Sequence, residues 1–114
     1  RRQRQMCIRD RIKVGIVSGA FPPGERLPSV RDLATEAGVN PNTMQRALAE
    51  LERTGLVYTQ RTAGRFVTED AAVIDSAKQE LAHQQVGAFL RRMERMGYDR
   101  EQTAQLVRSW EEEA

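Results

Sequence analysis

Apolar positions recur along this chain at helical spacing, and one short alternating stretch interrupts them near the middle. The clearest element runs from Val39 to Leu51. Asn40 is a natural N-cap, and Pro41 fits the first helical position, where its missing N–H costs nothing. Met44, Ala47, Leu48 and Leu51 then fall at i, i+3, i+4 and i+7, forming one buried stripe, and Gly55 ends the helix. Before it, Val30, Leu33, Ala34 and Ala37 make a second stripe. Ser29 caps that helix, Asp32 stands at N3 as an approximate capping-box partner, and Gly38 closes it. Ile12 and Ile16 mark an earlier helix from Ile12 to Ser18, stopped at Gly19, and Ile8 lies one turn before Ile12. The Pro/Gly-rich stretch Ala20 to Leu27 reads as a connection.

The alternating stretch begins at Leu56. Leu56 to Gln60 predicts a strand, Arg61 to Gly64 a turn, and Arg65 to Thr68 a returning strand. Two short helices joined by a tight turn and followed by a hairpin make a winged helix-turn-helix. From Asp70 the chain is Ala/Gln/Glu-rich and helical in spacing. Ile74, Ala77, Leu81, Val86, Phe89, Leu90 and Met93 form a stripe with a polar gap at Gln84 and Gln85. Gly97 ends this helix, and Asp99 with Gln102 opens a last one whose apolar side is Leu106, Val107 and Trp110. The fold class expected is therefore mainly α with a small β-hairpin: a winged module at 12–69 and a two-helix tail at 70–114. A winged module closes its own core, so the tail's stripe calls for a partner, most simply a second copy of the chain. The dimerisation residues expected are Ile74, Leu81, Phe89, Leu90, Met93, Val107 and Trp110.

The chemistry lies at the start of the third helix. Asn42, Thr43, Gln45 and Arg46 point away from its buried stripe, and no acid precedes Glu50, which suits base edges and the phosphates beside them. Arg31 opens the second helix next to it, and Arg61 and Arg65 lie in the hairpin, within reach of phosphates or a minor groove. Each has a blander reading: Arg31 as a solvated partner of Asp32 or Glu36, Arg46 as the i, i+4 partner of Glu50. Arg53 reads as a helix-end charge, the Arg91, Arg92 and Arg95 cluster as a solvated face, and Glu111 to Glu113 as a solvated run.

Charge adds less than it first suggests. The 114 residues carry a formal net charge of +2. Residues 1–69 hold twelve Lys/Arg against seven Asp/Glu, and residues 70–114 hold six against nine. Five of the basic residues, however, lie in the first eleven positions. RRQRQMCIRDR resembles the translation of a sequencing-library adapter ending in a transposon mosaic end, in full from Arg1 to Asp10 and with one base open at Arg11. Residues 1–11 are therefore expected to be an artefactual extension, the alternative being a basic arm on the DNA backbone. Without them residues 12–69 carry seven basic and six acidic groups, and bulk charge stops arguing for nucleic acid. With one cysteine and one histidine, neither an internal disulfide nor a Cys/His zinc cluster can form. His83 has no acid or thiol at ligand spacing, so no metal and no cofactor are expected. No nucleophile–base set or phosphate loop points to an enzyme. No apolar run nears the roughly 20 residues that cross a bilayer, and no signal-peptide pattern opens the chain, so a cytoplasmic protein is expected.

The stretches SGAFPPGERLPSVRDLA and VNPNTMQRALAELERTGLV, with Gly64-Arg65-Phe66-Val67, closely resemble the DNA-binding domain of the GntR family of bacterial transcription regulators from Ile12 to Thr68. The short tail resembles the YtrA-type branch. The resemblance implies that Arg31, in the LPSxR motif, contacts bases; that the third helix enters the major groove with Asn40, Asn42, Thr43, Gln45 and Arg46; and that Arg61 reaches the minor groove. It also implies a dimerising tail and control of a neighbouring transporter operon. The DNA-binding set expected is those residues with Ser29, Thr62, Gly64 and Arg65. Two departures stand out: Thr62 follows Arg61 where the family has glycine, and the opening Tyr-x-Gln-Ile is absent apart from Ile8. The function expected is a homodimeric repressor on an inverted-repeat operator in double-stranded DNA. The alternative is a winged-helix module that docks a protein. Any small effector would have to bind between the tail helices, where no polar constellation marks a pocket.

Overall fold

The computed structural model describes residues 7–112. Arg1 to Met6 of the expected extension, and Glu113 of the terminal acidic run, lie outside the described residues. The element order is α1 (Ile8–Val17), α2 (Val30–Ala37), α3 (Pro41–Arg53), β1 (Val57–Gln60), β2 (Gly64–Val67), α4 (Ala71–Arg95) and α5 (Arg100–Ser109). Two compact units divide the chain, Arg1–Gln79 and Glu80–Ala114.

In the first unit the predicted stripes meet in one core. Ile12 and Ile16 of α1, Leu33 and Ala34 of α2, and Met44, Leu48 and Leu51 of α3 pack with Leu27, Leu56, Val57 and Val67. Met44 and Leu51 are fully buried. Each such aliphatic side chain contributes about 1.5–3 kcal/mol of burial, which fixes the pitch of α3 against α1 and α2.

Two expectations about this unit change. The stretch before α2 is more than a connection: Arg26 bridges Phe66 antiparallel, the Leu27 N–H donates to Arg65 O at 2.8 Å, and the Val67 N–H donates to Glu25 O at 2.9 Å. The stretch Glu25 to Leu27 thus lies along the free edge of β2 through an isolated bridge. The second change concerns the start of α4, capped by Asp70, whose Oδ1 accepts from the Ala72 N–H at 3.0 Å. Ala77 is part of the winged core, and Val73 and Ile74 pack against it. Ile74, expected on the dimer face, is half-buried and packs against the winged core.

In the second unit α4 continues to Arg95, and Gly97 (φ 97°) ends it. Asp99 and Gln102 form a complete capping box on α5, with Asp99 Oδ1 accepting at 2.8 Å and Gln102 Oε1 accepting in return at 2.9 Å. Leu81 and Thr103 are buried, and Phe89, Leu90 and Met93 are half-buried. Val86, Leu106, Val107 and Trp110 remain exposed, Trp110 at 70%. Trp110 stands just past the helix as its C-cap residue.

Candidate nucleic-acid interface

Two caps set where the polar ends of α2 and α3 begin. Ser29 Oγ accepts from the Asp32 N–H at 3.0 Å. Among the described residues no bond returns from Asp32, whose carboxylate is a methylene shorter than the Gln102 amide that completes the box on α5, so the expected box is only half made. Between the helices Gly38 takes a left-handed φ of 71° and the Val39 N–H donates to Ala34 O at 3.0 Å, which ends α2 sharply. Asn40 Oδ1 then accepts from the Asn42 N–H at 2.7 Å, with Pro41 at the first position of α3.

The first turns of α3 stand clear of the core. Asn42, Gln45 and Arg46 are exposed and Thr43 is half-buried. No acidic residue lies in the first turn, so the positive end of the helix dipole is uncompensated and favours an anion. Glu50 pairs with Arg53, three residues on, and so does not hold Arg46. Arg31, exposed in the first turn of α2, has no acidic partner among the described residues either, so neither bland pairing forms.

The hairpin register is Val57↔Val67, Tyr58↔Phe66, Thr59↔Arg65 and Gln60↔Gly64. The loop is therefore Arg61-Thr62-Ala63, one residue shorter than expected, closed by the Ala63 N–H donating to Gln60 O at 3.0 Å. Arg61 and Thr62 are exposed at its tip. Gly64 is the first residue of β2 and holds φ 104°, a conformation that favours glycine.

Arg65 is placed differently from expectation. Strand alternation turns it to the same side as Val67, towards the end of α3, where its Nε faces Glu52 Oε2 at 3.4 Å. The two side chains are 19% and 29% exposed. Arg65 thus braces the wing against α3 and does not stand with Arg61 at the tip. Arg26, which sequence reasoning missed, does reach the wing surface through its bridge to Phe66.

Among the described residues no group of acids, His and Cys could hold a metal ion, and no helix is long and apolar enough to cross a membrane. The arrangement offers amides, a hydroxyl and guanidinium groups on a protruding helix start, flanked by a cationic hairpin. Such groups donate to phosphate oxygens and read the base edges of a major groove.

Comparison with known proteins agrees with this geometry. The family described as "Bacterial regulatory proteins, gntR family" matches residues 5–67. YhcF of Bacillus subtilis, described as an uncharacterized HTH-type transcriptional regulator, is 36% identical over 105 residues, 92% of this chain and 87% of its own length. The HTH-type transcriptional repressor YtrA of the same organism is 47% identical over 55 residues, 48% of this chain and 42% of YtrA. The solved GntR family transcriptional regulator from Listeria monocytogenes superimposes with a TM-score of 0.79 at 39% identity, covering 91% of each chain. A winged helix-turn-helix with a capped, polar third helix and a family match over more than half its length identifies this chain as a member of the gntR family of DNA-binding transcriptional regulators.

Proposed function

We propose that the chain acts in the cytoplasm as a homodimeric repressor, two copies of α3 reading an inverted repeat and blocking access to the promoter. The observation that carries this reading is the exposure of Asn42, Gln45 and Arg46 on an acid-free helix start, with Arg31 and Arg61 exposed on neighbouring elements. Asn42, Thr43, Gln45 and Arg31 read bases. Asn40 and Ser29 are caps first and lend their remaining donors to phosphates, and Arg46, Arg61, Thr62 and the Gly64 backbone line the same path. Residues 12–69 carry the DNA contacts and 70–114 the dimer contacts.

The exposed Leu106, Val107 and Trp110 support the dimer, since a lone chain leaves them in water. The name of the relative YtrA supports repression as the mode of action. A cleft in the tail, lined by Leu90, Tyr98, Asp99 and Thr103 among others, holds about 170 Å³, below the roughly 300–1,000 Å³ of small-molecule sites.

Selection from random duplexes followed by band shifts at rising salt tests the proposal. An inverted repeat with half-site centres about 34–36 Å apart and affinity that falls steeply with salt are expected. Salt-insensitive or absent binding would favour the protein-docking alternative.

A further inference from the structure

The two-stranded wing, with Arg26 bridged to its edge, has an inward and an outward face, set by alternation along its strands. Leu27, Val57 and Val67 are buried on the inward face, and Arg65 follows them. Tyr58 and Phe66 stack on the outward face, ring centroids 5.7 Å apart. Arg26 bridges Phe66 and so shares that outward sense, and the next outward position along β2 is Gly64. The side chain of Arg26 lies over it: a Cβ built on Gly64 would meet Arg26 Nε at 3.0 Å, Nη2 at 3.6 Å and Cζ at 3.7 Å. The guanidinium thus rests on the one wing residue that has no side chain, next to the loop that carries Arg61.

Arg26 is exposed and has no acidic partner among the described residues, whereas Arg65 is engaged by Glu52. We infer that Arg26, seated on Gly64, is the second DNA-contacting cation of the wing and binds a backbone phosphate. This rests on the proposed DNA binding and extends it to a residue outside the expected interface. A guanidinium held against backbone has lost much of its rotamer freedom before the ligand arrives, and its planar fork fits a phosphate in two-pronged fashion. No base-reading role follows, because the anchor is backbone and the position lies beyond α3.

The test uses the full chain with R26Q, R26K, R61Q and R65Q, titrated by anisotropy against the selected operator and a random duplex from 50 to 200 mM KCl. R26Q should weaken binding to both duplexes by a similar factor, roughly three- to tenfold, and lower the log–log salt slope by about one per protomer. R26K should keep the slope while losing part of the affinity, and this variant keeps the test alive should R26Q unfold. R65Q should leave the slope alone. Unchanged affinity and slope in folded R26Q, while R61Q weakens binding, would overturn the inference and leave the parent reading intact. Discrimination lost at a single operator position would also overturn it, by making Arg26 a base reader. If the wild-type chain shows no salt-sensitive binding, the parent reading itself fails.

Discussion

Removing one member of the Glu52–Arg65 pair asks whether the wing is braced to the recognition helix or merely adjacent to it. At 3.4 Å and an effective dielectric near 20, two unit charges attract by about 5 kcal/mol before desolvation and side-chain ordering are subtracted. Exposed pairs retain about 0–1 kcal/mol, and breaking a fully buried one costs about 3–5 kcal/mol. With side chains 19% and 29% exposed, this pair falls between those limits, and a coupling of about 1–2 kcal/mol is expected. E52Q, R65Q and the double variant form the cycle, read by urea unfolding. Each single variant should lower the thermal midpoint of the winged unit by roughly 4–16 °C, and the double variant should be less destabilised than the sum of the two. Coupling below about 0.3 kcal/mol would refute the brace. So would an R65Q chain of unaltered stability whose DNA salt slope drops, since Arg65 would then be spending its charge on phosphate.

Asn40→Ala should cost about 1 kcal/mol through loss of the cap on Asn42, visible as a lower melting midpoint. Asn40→Asp should restore the midpoint yet weaken DNA binding, by setting a carboxylate at the helix start. Arg31→Ala should cost about 1–3 kcal/mol of operator affinity and relax one base position; equal loss on all duplexes would make it a backbone anchor. Gly64→Ala should destabilise by about 1–3 kcal/mol in chemical denaturation, since φ 104° disfavours a side chain and the added methyl meets Arg26. Val107→Glu, on a side chain 59% exposed, should leave helical content unchanged by circular dichroism and shift the chain to monomer by light scattering.

Local signals were the legible part of this fold. Asn40-Pro41, Gly38, Gly55 and the Asp99–Gln102 box each act within a few residues, so the bounds of α3 and the start of α5 follow from sequence with little error. What the sequence hides is pairing at a distance. The Arg26–Phe66 bridge joins positions forty residues apart, and Pro22-Pro23-Gly24 disguises the extended stretch beside it. Arg65 was decidable in principle: two residues from the buried Val67, alternation puts it inside, and nearness to the turn was the weaker guide. Glu50 had two arginines in reach, at i−4 and i+3, and spacing alone does not choose between them. The apolar stripe of α4 was visible throughout, but a stripe does not announce which surface it meets, and its first turns went to the winged core. For the candidate interface, Asn42, Gln45, Arg46, Arg31 and Arg61 are exposed as expected. Arg26 was missed because its neighbours in space are not its neighbours in sequence.

The docking of Val73, Ile74 and Ala77 into the winged interior also sets how the polypeptide can be cut. A fragment ending at Thr68, after the last strand, would strip a lid of three side chains from an oily interior and should come out of expression sticky or half-melted. A cut placed by strand counting thus falls eleven residues short of Gln79, where the compact unit ends.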